Sequence, residues 1–331
     1  MKRADNLFDK ICSMENLRLA DKRARQGKTR SRGVRIFDRD PEGNLRRLRD
    51  LLLSGEYRTS RYTFFTITDP KERTIARLPY YPDRIVHHAI MNIVEPIFTR
   101  LYTADTYACI KGRGMHLARK RIMEAFRRDK AGTRYCLKLD IRKYYPSIRH
   151  DKLKEILRRK FKDARLLRLF DEIIDSVDGL PIGNYISQSF ANINLAYFDH
   201  YIKERLRVRY YFRYVDDIVI FSDSKETLWG YLGGIRAALA DMGLKVKDNW
   251  QVFPVEARGV DFLGFVFRHG YIRLRKRIKH NLFRALAHAR KVCRSVKEIR
   301  LAVASYIGWL KYTDTINLTK TLNIFCYGKV F

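Results

Sequence analysis

Apolar positions along this chain change their period several times, and each change marks an expected element boundary. Between residues 135 and 140 they alternate, with Tyr135, Leu137 and Leu139 on one face and Cys136, Lys138 and Asp140 on the other. That period of two predicts a strand. Residues 210–221 are two β-branched and aromatic runs meeting at Asp216-Asp217, which predicts strand, tight turn, strand. Shorter strands are expected over 62–67 and 73–78, around a turn at Asp69-Pro70, and two or three more between 245 and 274. Helical spacing predicts a short amphipathic helix over 45–53. Another starts at Asp83 as N-cap and carries Ile85, Val86, Ala89, Ile90 and Ile93. Pro96 is expected to kink or end it. Further helices are expected over 115–128, 151–161, 164–176, about 187–205 and 225–242, the last closed by Gly243. Gly132 closes the 115–128 region, Gly179 to Gly183 is a turn, and 276–331 is mostly helical. The order predicts an α+β fold with an antiparallel sheet and helical appendages on both sides.

Composition changes this picture in one respect. The 331 residues are 46% hydrophobic, enough for two or three units with real cores, yet the net charge is +32. So large an excess suits a polyanionic partner, nucleic acid first and an anionic membrane second. Residues 22–35 carry seven bases and no acid, which we read as a mobile or partner-ordered segment or else a solvated surface. No apolar run is long enough to span a bilayer, no long cationic helix has a clean apolar face, and the charged N-terminus lacks a signal-peptide core. Cys12, Cys109, Cys136, Cys293 and Cys326 are scattered without a C-x-x-C pair, compatible with a reducing, cytoplasmic setting. The many tyrosines and phenylalanines suit both core packing and stacking on bases.

Adjacent carboxylates at a hairpin tip repel, and each raises the other's pKa unless a cation lies between them. Hard divalent ions prefer such oxygens. Asp140, at the end of its strand, is the best candidate for a third carboxylate, and three of them around two metal ions make a phosphoryl-transfer site. His87 and His88 lie on an apolar helix face and are expected to pack there. Trp309 is expected in a core.

These motifs resemble those of reverse transcriptases over nearly the full length. Tyr214-Val215-Asp216-Asp217 is similar to the family's Tyr-x-Asp-Asp, with Asp140 at its first palm aspartate. The resemblance implies Asp140, Asp216 and Asp217 as catalytic residues. Together with the Ile141 main-chain carbonyl they would bind two Mg2+ ions, for which Mn2+ could substitute. It further implies Arg73 at the triphosphate, where a guanidinium fork suits phosphate. Tyr145 stands where a planar ring excludes a 2′-hydroxyl, and Ile182, Gly183 and Gln188 stand beside the nucleotide. Lys245 or Lys247 would protonate pyrophosphate. Lys111, Arg113, Phe262, Gly264, Arg275, Lys276 and Arg277 would contact nucleic acid.

Three segments narrow the resemblance to the reverse transcriptases of diversity-generating retroelements: Ile182-Gly183-Asn184 with Ser187-Gln188, Tyr107-Ala108 through Lys111-Gly112-Arg113-Gly114, and Asn249 to Pro254 followed by Gly259 to Gly264. Many relatives have glutamine where Ile182 stands, so the resemblance implies infidelity opposite template adenine. It also implies a right-hand polymerase fold. We expect a basic extension at 1–60, fingers at 61–134, and a palm at 135–270 with a fingers-like insertion near 150–185. A basic helical thumb would follow at 271–331, with no room expected for an RNase H or endonuclease domain. The implied partners are template RNA, primer and cDNA, deoxynucleotides and a small basic oligomeric accessory protein, with no membrane. Alternative readings are a phage-defence, retron or group II intron-like enzyme, or a non-catalytic RNA-binding protein with this fold.

Overall fold

In the computed structural model of the chain, the residues described are 3–68, 72–293 and 295–322; the expected Asp69-Pro70 turn and Cys326 lie outside them. The helices begin with α1 (Phe8–Ile11), α2 (Met14–Ala24), α3 (Arg32–Phe37), α4 (Pro41–Ser54) and α5 (Ile85–Leu101). They continue with α6 (Met115–Arg128), α7 (Tyr144–Ser147), α8 (His150–Lys160), α9 (Ala164–Asp175), α10 (Tyr185–Asn194) and α11 (Ala196–His200). After α12 (Lys225–Asp241) and α13 (Val255–Arg258) come α14 (Lys276–Val292), α15 (Val296–Ala302), α16 (Ala304–Leu310) and α17 (Ile316–Thr321). Strands β1 (Thr63–Ile67) and β2 (Arg73–Arg77) form an antiparallel hairpin. Strands β3 (Tyr135–Asp140), β4 (Tyr210–Tyr214), β5 (Asp217–Ser222) and β6 (Gln251–Pro254) form an antiparallel sheet in the order β4-β5-β3-β6. A separate meander joins β7 (Val260–Phe262), β8 (Phe265–Arg268) and β9 (Tyr271–Leu274). No helix among the described residues is long and apolar enough to cross a membrane.

The chain forms two compact units: Met1–Ala104 with Ile141–Arg205 and Arg236–Val246, and Asp105–Asp140 with Leu206–Ile235 and Lys247–Phe331. In the first, α5 is the central helix. Its Ile85, Val86, Ala89 and Ile90 are fully buried, and the Asn16 amide of α2 donates to the Ala89 carbonyl at 3.0 Å. Edge-to-face rings link Phe98 to Phe161, Phe161 to Phe170 and Phe170 to Phe190, with centroids 5.5–5.8 Å apart. Each such contact adds roughly 0.5–1.5 kcal/mol beyond the area it buries. In the second unit, Phe126, Phe212, Phe221, Phe262, Phe265 and Phe267 form the core between α6, the sheet and α14.

Residues 22–35 are ordered rather than mobile: α2 runs to Ala24, α3 begins at Arg32, and Gly33 lies so close to Tyr80 that an added Cβ would meet its Cβ at 2.9 Å. The charges face solvent while Val34 and Phe37 are buried, so the run is the wet side of packed helices. Pro96 does not end α5. It lies on the exposed side, and buried Val94, Phe98 and Leu101 hold the helix through it. The helix expected at 187–205 breaks at Leu195, just after Asn192 and Asn194, whose side chains compete with helical hydrogen bonds. Four strands occupy 245–274, not two or three, because the glycines at 259, 264 and 270 all adopt positive φ and turn the chain.

One buried carboxylate fastens the N-terminal helices to the first unit. Asp163 accepts from the N–H groups of Leu7 (2.8 Å), Phe8 (2.9 Å) and Leu166 (3.2 Å), capping α9 and tethering α1. Burial opposes its ionisation, but the main-chain donors of Phe8, Leu166 and Leu7 prevail and hold it below the usual carboxylate value. A depressed native pKa stabilises the fold above the unfolded value near 3.9, and that stabilisation is lost as pH falls through the native value. Asp163→Ala should therefore cost about 2 kcal/mol at neutral pH, the loss of a cap plus an orphaned donor pair. The difference from wild type in urea unfolding should shrink below pH 4; a pH-independent difference contradicts this assignment.

Candidate active site

The alternating strand and the double aspartate meet through sheet register. Strand β3 pairs antiparallel with β5 so that Asp140 lies opposite Asp217, while β4 pairs with β5 to set Tyr214 opposite Asp217. Asp216 occupies the turn between them, where its carboxyl feels the charges of Asp140 and Asp217. Burial first, then the charges of Asp140 and Asp217, push the Asp216 carboxyl well above the usual carboxylate range.

The turn is held by a residue that sequence reasoning missed. Val215 has φ +58°, a left-handed conformation that a β-branched residue adopts only under constraint, at a cost of roughly 1–3 kcal/mol. Arg213, fully buried, donates from Nη1 to the Val215 carbonyl at 2.9 Å. Its own main chain accepts from Tyr107 N–H (3.1 Å) and donates to Asp105 (3.0 Å), so residues 105–107 run along the edge of β4. Arg113 in turn donates to the Thr106 carbonyl at 3.0 Å, which gives it a structural contact, whereas Lys111 is exposed. The signal for Arg213 was present: a lone base inside an otherwise apolar strand.

Of the two lysine candidates, Lys247 is the one beside the carboxylates. Its Nζ lies 3.8 Å from Asp140 Oδ2 and its N–H donates to the Asp140 carbonyl at 2.8 Å. Lys245 contributes a main-chain carbonyl to Arg142 N–H at 2.8 Å. Ile141 follows Asp140 in the chain and bridges to Val246. Among the described residues, no three His, Cys, Asp or Glu side chains are already gathered as a metal cage. The donor set nonetheless fits a hard divalent cation, because it is all oxygen and a cation would offset the repulsion that helps raise the Asp216 carboxyl.

The nucleotide candidates lie in the first unit, and main-chain bonds tie their segments together. Ala76 of β2, the strand that begins at Arg73, donates to the Ile182 carbonyl at 2.8 Å. Leu180 donates to the Tyr145 carbonyl at 2.9 Å. Gly183 has φ +119°, and a Cβ there would stand 2.8 Å from both the Ala76 carbonyl oxygen and Ile75 Cγ2, so the approach admits only glycine. Tyr145 is half-buried, its ring edge-on to buried Tyr144 at 5.8 Å, and Gln188 and Arg73 are exposed. His88 stacks on Tyr185 at 4.0 Å, and burial pushes the imidazoles of His87 and His88 down to about 3 and about 4; both are packing residues.

Two expectations about nucleic-acid contacts need correction. The Phe262 ring is 1% exposed inside the core, so it has no face to offer a base. The Arg275 guanidinium grips Asp261 at 2.5–2.6 Å and its residue caps α14, which makes it a structural ion pair. Gly264, at φ +82°, sits so close to the Trp309 ring that an added Cβ would meet it at 2.7 Å; Trp309 also packs on Phe265 at 5.0 Å and belongs to the core. Lys276 and Arg277 are exposed at the start of α14.

Comparison with known proteins is consistent with this geometry. The chain is 26% identical to the Escherichia coli protein YkfC over 224 residues, which is 63% of this chain and 54% of that protein. It is also 26% identical to the mitochondrial nuclear intron maturase 4 of Arabidopsis thaliana over 179 residues, 50% of this chain and 22% of that one. It thus spans about half the length of the first of these relatives and less of the second. Among solved structures, the telomerase of Candida albicans with a TWJ fragment of telomeric RNA superposes with TM-score 0.54 at 11% identity, over 82% of this chain and 57% of that one. The corresponding Candida tropicalis complex gives 0.51 at 13% identity, over 84% and 58%. The fold is the right-hand polymerase fold, with fingers, an antiparallel-sheet palm and a helical thumb. Residues 69–267 match the family described as reverse transcriptase (RNA-dependent DNA polymerase), and with more than half of its length in that match the chain belongs to this family.

Proposed function

We propose that the chain is an RNA-directed DNA polymerase that extends a 3′-hydroxyl primer with deoxynucleotides along template RNA. The observation that carries this reading is the register that sets Asp140 opposite Asp217, with Asp216 in the adjoining turn. Asp140, Asp216, Asp217 and the Ile141 carbonyl would hold two Mg2+ ions, with Mn2+ able to substitute, and these would lower the pKa of the primer hydroxyl and offset charge on the leaving phosphates. The primer oxygen attacks the α-phosphorus, the bond to the bridging oxygen breaks, and Lys247 hands a proton to the departing pyrophosphate. Arg73 grips the triphosphate, Tyr145 lies under the sugar, and Ile182, Gly183 and Gln188 flank the base. Lys111, Lys276 and Arg277 meet the nucleic-acid backbone. Extension of a DNA primer on RNA by the wild-type chain tests the reading; no incorporation at any supplied divalent ion sinks it.

Within the family, we assign the chain to the diversity-generating group, with a structured template RNA and a small basic oligomeric accessory protein as partners in the cytoplasm. The support is Ile182 itself: an apolar side chain where many relatives carry an amide removes a hydrogen-bonding partner near the nascent pair. Its carbonyl is tied to β2 irrespective of the side chain, so Ile182→Gln changes the side chain and keeps that bond. We expect this variant to misincorporate opposite template adenine several-fold less often than wild type, roughly the effect of one gained or lost hydrogen bond. Sequencing of cDNA copied from a defined RNA reads it. Low adenine error in both proteins removes the assignment.

A further inference from the structure

Away from the carboxylates, a groove runs beside α14 within the second unit. Its wider part encloses about 690 Å3 between α14, β9 and the start of α17, with Arg273, Lys279, Phe283, Thr315 and Asn317 among its walls. It continues over Phe283 into a second hollow of about 330 Å3 beside His280 and Arg284. Helix α14 buries Leu282, Leu286 and Ala289 in the core, and Phe283, at the edge of that face, is 37% exposed. The exposed part of this ring, flanked by bases, is a surface on which a base can stack. The one acid in the groove wall, Asp314, is already engaged: its carboxylate accepts from Ile272 N–H at 2.7 Å and its own N–H donates to the Ile272 carbonyl at 2.9 Å. With Arg273, Lys279 and Arg284 against that one carboxylate, the lining carries a net positive charge, and the Lys279 ammonium lies 5.7 Å from the Phe283 ring centre.

We infer that this groove docks single-stranded RNA, with one unstacked base on the Phe283 ring and the flanking phosphates on Arg273, Lys279 and Arg284. A duplex keeps its base faces inside and offers a convex backbone, which fits the outside of a basic helix rather than a hollow with an aromatic wall. A single strand offers both a base face and its phosphates, the two things the groove supplies. The inference deepens the proposed function and rests on it only for the choice of RNA over DNA. The groove is separate from the contacts proposed for Lys276 and Arg277, which are not among its lining residues.

The test is fluorescence titration of the full chain, without deoxynucleotides, at salt high enough to suppress non-specific attraction. The probes are a short single-stranded RNA carrying a fluorescent adenine analogue, the same sequence as DNA, and an RNA–DNA duplex. Phe283→Ala and Phe283→Leu should each weaken single-stranded RNA binding about tenfold, the scale of one base–aromatic stack, and leave duplex binding within twofold. The stacking quench of the analogue should vanish in Phe283→Leu, which keeps an apolar side chain at the helix surface and controls for misfolding. Equal losses for single strand and duplex, no loss for either, or an unaltered quench in Phe283→Leu would each overturn the inference. Tighter binding of DNA than RNA overturns the choice of RNA. Primer extension is measured separately, so a failed polymerase reading and a failed groove reading remain distinguishable.

Discussion

Asp216→Ala is expected to abolish primer extension, lowering kcat by at least about a thousandfold, while the chain stays folded and still binds RNA. The carboxyl lost is the one at the turn between β4 and β5, raised in pKa by burial and by its two acidic neighbours. Removing it relieves that repulsion, so thermal stability should be unchanged or slightly increased. The combination is diagnostic. A structural aspartate would lose stability when truncated, and a catalytic one held under repulsion loses only chemistry. Single-turnover extension on a primed RNA, together with a thermal melt, measures both. Activity within tenfold of wild type would remove Asp216 from the catalytic set.

The second large effect concerns Arg213, which lies next to Tyr214 and two residues before Val215. A fully buried guanidinium is costly to place, and here it secures the carbonyl of a residue held at φ +58°. Arg213→Met fills much of the same volume but leaves the Val215 carbonyl without that donor, so it should destabilise the chain by about 3 kcal/mol. Arg213→Lys retains a donor without the planar fork and should fall between the two. Because Arg213 acts through the turn rather than on substrate, kcat for extension should drop at least about tenfold in Arg213→Lys with KM for deoxynucleotides unchanged. A purely structural role predicts a lower melting point with wild-type kcat below it, and that result would remove Arg213 as a positioning residue.

Much of the local architecture could be read directly from residue order. The bounds of α6 and β3 match their hydrophobic periods, and β1, β2 and α9 fall within one or two residues of the expected spans, because helix and strand periods are properties of neighbouring residues. The double aspartate marked the turn to within one residue: Val215 and Asp216 form it, and Asp217 already begins β5. Where the reading failed or left alternatives, burial decided. Of the two outcomes expected at Pro96, a kink or an end, the end does not occur, because the burial of Val94, Phe98 and Leu101 outweighs one missing hydrogen bond. For the bases of residues 22–35, expected as a mobile or partner-ordered tract or a solvated surface, the surface reading holds, because Val34 and the neighbouring Phe37 are core. Phe262 and Arg275 looked like nucleic-acid contacts because of their motif, and their side chains are occupied by the core and by Asp261.

From residue order alone came a strand ending at Asp140, a turn beside Asp216 and Asp217, and a positive charge suited to a polyanionic partner. Each follows from side-chain alternation, turn chemistry or a count of charges, none of which requires a partner far along the chain. Only the tertiary structure decided that Asp140 faces Asp217 and that Arg213 lies buried beneath the turn. The same is true of Lys247 rather than Lys245 standing beside Asp140, and of Ile182 fastening to β2. These depend on hydrogen bonds between residues from tens to more than a hundred positions apart, and such pairings are set by sheet register and burial rather than by local sequence.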